Sequence, residues 1–209
     1  MADPGMTGSD MAGSDMRRTA TIERTTSETD VTVTLGLDGG AVAVATGVPF
    51  FDHMLEAFGR HGLFALEARA TGDLAVDAHH TVEDVGICLG QALSSALGDK
   101  RGIRRFGSAF VPMDEALVLA AVDISGRGQC HYDVTLPIEL IGTFDTTLAK
   151  EFMIALAANA GITVHIVAFA GENAHHIIEA AFKALARALA EAVEIDPRVS
   201  GVPSTKGSL

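Results

Sequence analysis

Two stretches of this 209-residue chain carry one five-residue pattern, His79-His80-Thr81-Val82-Glu83 and His175-His176-Ile177-Ile178-Glu179, at a separation of 96 residues. On a helix the first histidine and the glutamate stand one turn apart on one face, while neighbouring histidines point about 100° apart. One HHxxE segment therefore offers His79 and Glu83 to one cation and His80 to another. A single copy is better read as helix-capping or solvated histidines. Two copies in register supply six nitrogen and oxygen donors, enough to grip a pair of divalent ions. His53, in Phe50-Phe51-Asp52-His53, and Glu151, in Lys150-Glu151-Phe152, occupy matching places in the segments upstream and extend the donor set. Imidazole and carboxylate without thiolate suit a six-coordinate Mn²⁺, with Fe²⁺ or Zn²⁺ as alternatives. By residue type and place alone, His61 and His165 at element edges are structural, and His131 lies in a strand without an evident partner.

Cations are few, so their clustering counts. Arg101, Arg104 and Arg105 surround Gly102, Arg127 lies in a glycine-rich turn, Lys183 lies on the second HHxxE helix, and Ser204-Thr205-Lys206-Gly207 forms the tail. Guanidinium, ammonium, hydroxyl and backbone amide together make a phosphate site.

The elements that must position these groups also repeat. Val82, Val85, Leu89, Ala92, Leu93 and Ala96 match Ile178, Ala181, Leu185, Ala188, Leu189 and Ala192, an apolar stripe at helical spacing in both copies. Upstream, residues 63–70 and 162–169 predict short strands, preceded by helices over 50–61 and 148–159. Before those, Val31, Val33 and Leu35 alternate with polar residues up to Asp38-Gly39-Gly40, then Val42 and Val44 follow. In the second copy, residues 117–124 lead to Ser125-Gly126-Arg127-Gly128, then Cys130, Tyr132 and Val134. Both stretches predict hairpins. The expected fold is α+β: a tandem duplication of a four-stranded sheet with two helices on one face, over residues 18–100 and 101–195, packed as one body. Residues 1–17, rich in Gly, Ser, Asp and Met without periodicity, predict a disordered leader, and residues 196–209 a tail.

Composition narrows the function classes. With 48% hydrophobic and 20% charged residues the chain buries a core. A net charge of −12 has the wrong sign for nonspecific attachment to nucleic acid or an anionic membrane. No secretion signal or membrane-length apolar run is present, and Cys88 and Cys130 are unsuited to a disulfide scaffold or a thiolate metal site. A reduced, cytoplasmic protein is expected.

The motifs PFFDHML at 49–55, DAHHTVED at 77–84, GDKRGIRRFG at 98–107, PMDEAL at 112–117, DISGR at 123–127, GENAHHIIEAAFKALARAL at 171–189 and PSTKG at 203–207 resemble the imidazoleglycerol-phosphate dehydratase family of histidine biosynthesis. The resemblance covers residues 18–209. It implies a duplicated unit like the second domain of ribosomal protein S5, and homo-oligomeric shells of about 24 subunits with metal sites at subunit interfaces. It assigns His53, His80, His175 and Glu179 to one Mn²⁺, and His79, Glu83, Glu151 and His176 to the other. Glu151 stands where some relatives have histidine, which implies a more anionic second site. Arg105, Arg127, Lys183, Ser204, Thr205 and Lys206 fall where the substrate phosphate is held, with His53 and His61 among the further substrate contacts. Glu28 falls where the family has its acid–base carboxylate.

Such a site answers the chemistry of losing water from a glycerol chain, where a non-acidic C–H must break and hydroxide must leave. A substrate imidazole held between two cations can push electrons toward the adjacent hydroxyl. The product implied is imidazole acetol phosphate. Two other classes use the same donors: a metal-storing assembly without turnover, and a dinuclear metallohydrolase that releases phosphate.

Overall fold

The computed structural model describes residues 18–209; the leader expected over 1–17 lies outside the described residues. In the first half, β1 (Thr19–Thr25), β2 (Thr29–Gly36), β3 (Val42–Ala45), α1 (Pro49–Gly62), β4 (Ala65–Gly72) and α2 (His79–Leu97) follow one another. The second half repeats that order with β5 (Phe106–Met113), β6 (Ala116–Asp123), β7 (Gln129–Asp133), α3 (Leu148–Ala160), β10 (Thr163–Ala170) and α4 (Ala174–Val193). One small hairpin, β8 (Leu140–Ile141) and β9 (Phe144–Asp145), is inserted ahead of α3.

Period-two alternation sets the sheet faces. Val31, Val33 and Leu35 on β2, and Ala116, Val118, Ala120 and Val122 on β6, are buried, while the residues between them are more open. The two sheets have matching orders, β1-β2-β4-β3 and β5-β6-β10-β7. This corrects the expected hairpins. β4 lies between β2 and β3, and β10 between β6 and β7, so the edge strands β3 and β7 pair in parallel with β4 and β10. The true hairpins are β1–β2 and β5–β6. The glycine-rich turns carry the chain past the neighbouring strand rather than back on itself. A Cβ at Gly40 (φ 149°) would lie 2.6 Å from that of Ala65, and one at Gly128 would lie 2.5 Å from the backbone of Ala158. Both turns need glycine for close passage, not for a tight reversal.

α2 packs on β1 and β2, and α4 on β5 and β6, while α2 also meets α3 and α4 meets α1. The helices of the two halves thus face each other between the sheets, and one continuous apolar core runs through both. α2 approaches α3 along Gly86 and Gly90, where an added Cβ would come within 3.0 Å of the Phe152 carbonyl oxygen and 2.6 Å of the Leu156 carbonyl oxygen. After α4 the tail returns over the second half. The Gly102 amide bonds the Gly201 carbonyl at 2.9 Å, and Leu209 packs against Gly126.

Candidate active site

The N-terminus of α4 is fixed by Asn173, whose side chain accepts from the His175 amide at 2.9 Å. From that start His175, Glu179 and Lys183 fall one turn apart on a single face. α1 brings His53 against the same face. His53 Nε2 stands 3.2 Å and His175 Nε2 3.0 Å from Glu179 Oε2, and Lys183 Nζ stands 2.6 Å from Glu179 Oε1. One donor atom from each of His53, His175 and Glu179 falls within 4.8 Å of the others, the single such three-ligand group among the described residues. Phe50 closes one side, edge-on to His175 at 5.1 Å and tilted against Phe144 of the inserted hairpin at 5.0 Å. Burial pushes the Glu179 carboxyl upward, but Lys183 and the two imidazoles outweigh it, so the group lies below its usual range as a carboxylate.

The repeat image of this cluster on α2 is looser. His79 Nε2 and Glu83 Oε2 are 3.8 Å apart. Glu151, half-buried in the first turn of α3, does not converge with them at the spacing of the α4 cluster. The remaining two histidines face elsewhere. His80 Nδ1 lies 3.0 Å from Asp73 Oδ2 and 3.7 Å from Glu28 Oε2. His176 Nδ1 lies 2.7 Å from Glu115 Oε2. Both imidazoles are raised above their ordinary range, chiefly by these hydrogen bonds to Asp73 and Glu115.

Glu28 is exposed in the β1–β2 turn, which is itself well held. The Thr26 hydroxyl accepts from the Glu28 amide at 3.1 Å, the Glu28 carbonyl accepts from the Asp73 amide at 3.1 Å, and buried Asp84 accepts from Arg24 at 2.9 Å and from the Thr29 hydroxyl. Neither Asp73, Asp84 nor Glu115 was singled out from sequence. The repeat contained a signal for Glu115, because Glu28 and Glu115 each immediately precede the second strand of their half and each face the second histidine of an HHxxE pair.

The phosphate candidates divide into two groups. Lys183 and His61 lie at the α1–α4 contact, and the His61 imidazole is held below its usual range by burial and then by Lys183 and Arg187. Arg105, Arg127, Ser204, Thr205 and Lys206 lie with the tail. Arg105 donates to Asp123 at 2.7 Å and to the Pro203 carbonyl at 2.9 Å, so its guanidinium straps the tail to β6. Arg127 folds onto the Ser125 carbonyl at 3.3 Å, while Thr205 and Lys206 are exposed. Arg105 precedes β5, whose last residue Met113 contacts Lys183, and eight strand residues span about 26 Å at roughly 3.3 Å each. One chain therefore does not bring Arg105 to Lys183. His131 does have a partner: its ring stacks on His165 at 4.4 Å, on adjoining strands β7 and β10.

Residues 46–189 match the family described as Imidazoleglycerol-phosphate dehydratase. The chain belongs to this family. It is 61% identical over 198 residues to the imidazoleglycerol-phosphate dehydratase of Symbiobacterium thermophilum, covering 94% of this chain and 95% of that one. It is 60% identical to that of Acidiphilium cryptum, covering 93% and 100%. Among solved structures, the Staphylococcus aureus imidazoleglycerol-phosphate dehydratase superposes with a TM-score of 0.76 at 38% identity, covering 85% of this chain and 99% of that one. The Pyrococcus furiosus structure, in complex with (S)-C348, gives 0.79 at 42% identity, covering 90% and 100%. As an imidazoleglycerol-phosphate dehydratase family member the protein is a hydro-lyase, and its two sheets and four helices are the family's duplicated α+β architecture. Among the described residues no helix is long and apolar enough to cross a membrane.

Proposed function

We propose that this protein performs the Mn²⁺-dependent removal of water from imidazoleglycerol phosphate, yielding imidazole acetol phosphate for histidine biosynthesis in the cytoplasm. The observation that carries this reading is the meeting of His53, His175 and Glu179 beside Lys183, a nitrogen- and oxygen-only donor set backed by a cation, in a member of this family. The donors fit a hexacoordinate divalent ion of the Mn²⁺, Fe²⁺ or Zn²⁺ kind. When bound, such ions supply Lewis acidity toward the substrate's ring nitrogens.

In this reading His53, His175 and Glu179 hold one ion together with His80, and His79, Glu83 and Glu151 hold the other together with His176. Within one chain His80 faces Asp73 away from the three-ligand cluster, and neither Glu151 nor His176 joins His79 and Glu83, so the quartets close when neighbouring copies supply the missing groups. The same holds for phosphate. Lys183 and His61 from one copy meet Arg127, Ser204, Thr205 and Lys206 from another, with Arg105 strapping the tail that carries them. The working form is then a homo-oligomer with sites between subunits, of about 24 copies as in the family's closed shells. Glu28, exposed on a braced turn, moves the proton at the carbon beside the one that loses hydroxide.

Incubation with imidazoleglycerol phosphate and Mn²⁺, with the keto product and free phosphate assayed in parallel, tests the proposal. Keto product without phosphate supports it. Phosphate release would make the protein a hydrolase, and metal uptake without turnover a metal store.

A further inference from the structure

The geometry points to Glu115 as the residue that fixes the tautomer of His176, so that its Nε2 is presented outward as a ready ligand; Asp73 does the same for His80. The inference rests on the reading of His176 and His80 as metal ligands and adds the groups that aim them.

Both imidazoles are approached at the same nitrogen, Nδ1, although the two carboxylates come from different places. Glu115 precedes β6, whereas Asp73 follows β4. A carboxylate can only accept, so Nδ1 must carry the hydrogen, and in the neutral ring that a cation binds Nε2 keeps its lone pair. That lone pair is what a cation needs. Asp114 stands 3.7 Å from Nε2 of His176, beyond hydrogen-bond range. The Glu115 carboxylate is itself held. Its Oε1 accepts from the amides of Asn173 at 2.8 Å and Glu172 at 3.2 Å, which leaves Oε2 for His176. Carboxylates behind metal-binding histidines commonly contribute about 10- to 100-fold in metal affinity.

The anchoring makes a sharp test. In Glu115→Gln the two amides retain the carbonyl oxygen, so the NH₂ must face His176 Nδ1. Nδ1 is then forced to accept and Nε2 to carry hydrogen, the wrong tautomer for a ligand. In Glu115→Ala nothing enforces either tautomer. Full-length chains stripped with chelator are titrated with Mn²⁺, free ion is counted by electron paramagnetic resonance, and metal-free unfolding midpoints are recorded alongside. Expected is wild type tighter than Glu115→Ala, and Glu115→Ala tighter than Glu115→Gln. The Gln variant should lose about 10- to 100-fold at one class of site while unfolding closer to wild type than the Ala variant. A purely structural role predicts the opposite order, because Ala removes the loop's hydrogen bonds and Gln keeps one oxygen in place. Wild-type affinity in Glu115→Gln, with the site lost in His176→Ala, overturns the inference alone. Full metal binding in His176→Ala overturns the metal reading and the inference with it.

Discussion

Glu179 gathers His53, His175 and Lys183 around one carboxylate that is almost entirely removed from solvent. Lys183 compensates that buried charge through Oε1, which leaves Oε2 to the two imidazoles. Glu28 has the opposite character: it is exposed, and only its backbone is held. Freedom of the carboxyl on a fixed turn suits a group that must exchange a proton. Glu28→Gln is therefore expected to reduce turnover by about 10²- to 10⁴-fold with bound Mn²⁺ unchanged, measured as steady-state kcat beside metal content per chain; unchanged kcat would remove Glu28 from the mechanism. The donors were legible in sequence because HHxxE occurs twice and His53 and Glu151 align across the copies, whereas the grouping of His53 with His175 and Glu179 came with the family resemblance. Asp73 and Glu115 were not, because a lone acid in a turn acquires meaning only when the turn is placed beside a particular ring nitrogen.

At the scale of elements, the duplication does two jobs: it builds two similar sheets and sets each HHxxE helix across from a helix of the other half. The apolar stripe on α2 and α4 gave the helices and their buried faces directly, since a period of 3.6 admits no other face. The hairpins failed for a physical reason. Strand alternation and a glycine-rich turn are the same whether the next strand pairs with its predecessor or crosses to the far edge, and the choice falls to β4 and β10, which arrive later in the chain. The close approach of α2 to α3 is another feature that no local pattern revealed. Gly90→Ala should gain roughly 1 kcal/mol in helix propensity yet lose more by collision with the Leu156 carbonyl and the Ala160 amide, which cannot move aside as a side chain can. A net loss of about 1–3 kcal/mol is expected from the urea midpoint of the metal-free chain. A stabilised variant would mean that the two helices slide without cost.

For the whole molecule, the distances within one chain argue for partnership between chains. Lys183 lies with the trio, the tail cations lie beyond the other end of β5, and His80 and His176 are aimed away from the trio by their carboxylates. Spacing did not reveal these directions, since Arg105, Lys183 and Lys206 differ along the sequence only in position; sites between subunits were an expectation of the family resemblance alone. A site assembled from separated parts of several identical chains makes one decisive demand. His80→Ala keeps the trio and lacks the donated histidine, whereas His175→Ala lacks the trio and keeps the donor. Each variant alone should be inactive. Mixed, unfolded together and refolded with Mn²⁺, with hybrid assemblies verified by mass, they should regain about a quarter of wild-type turnover, the share of interfaces that receive one intact half from each kind under random placement. Hybrid assemblies no more active than their parents would show that the ligands do not come together between chains.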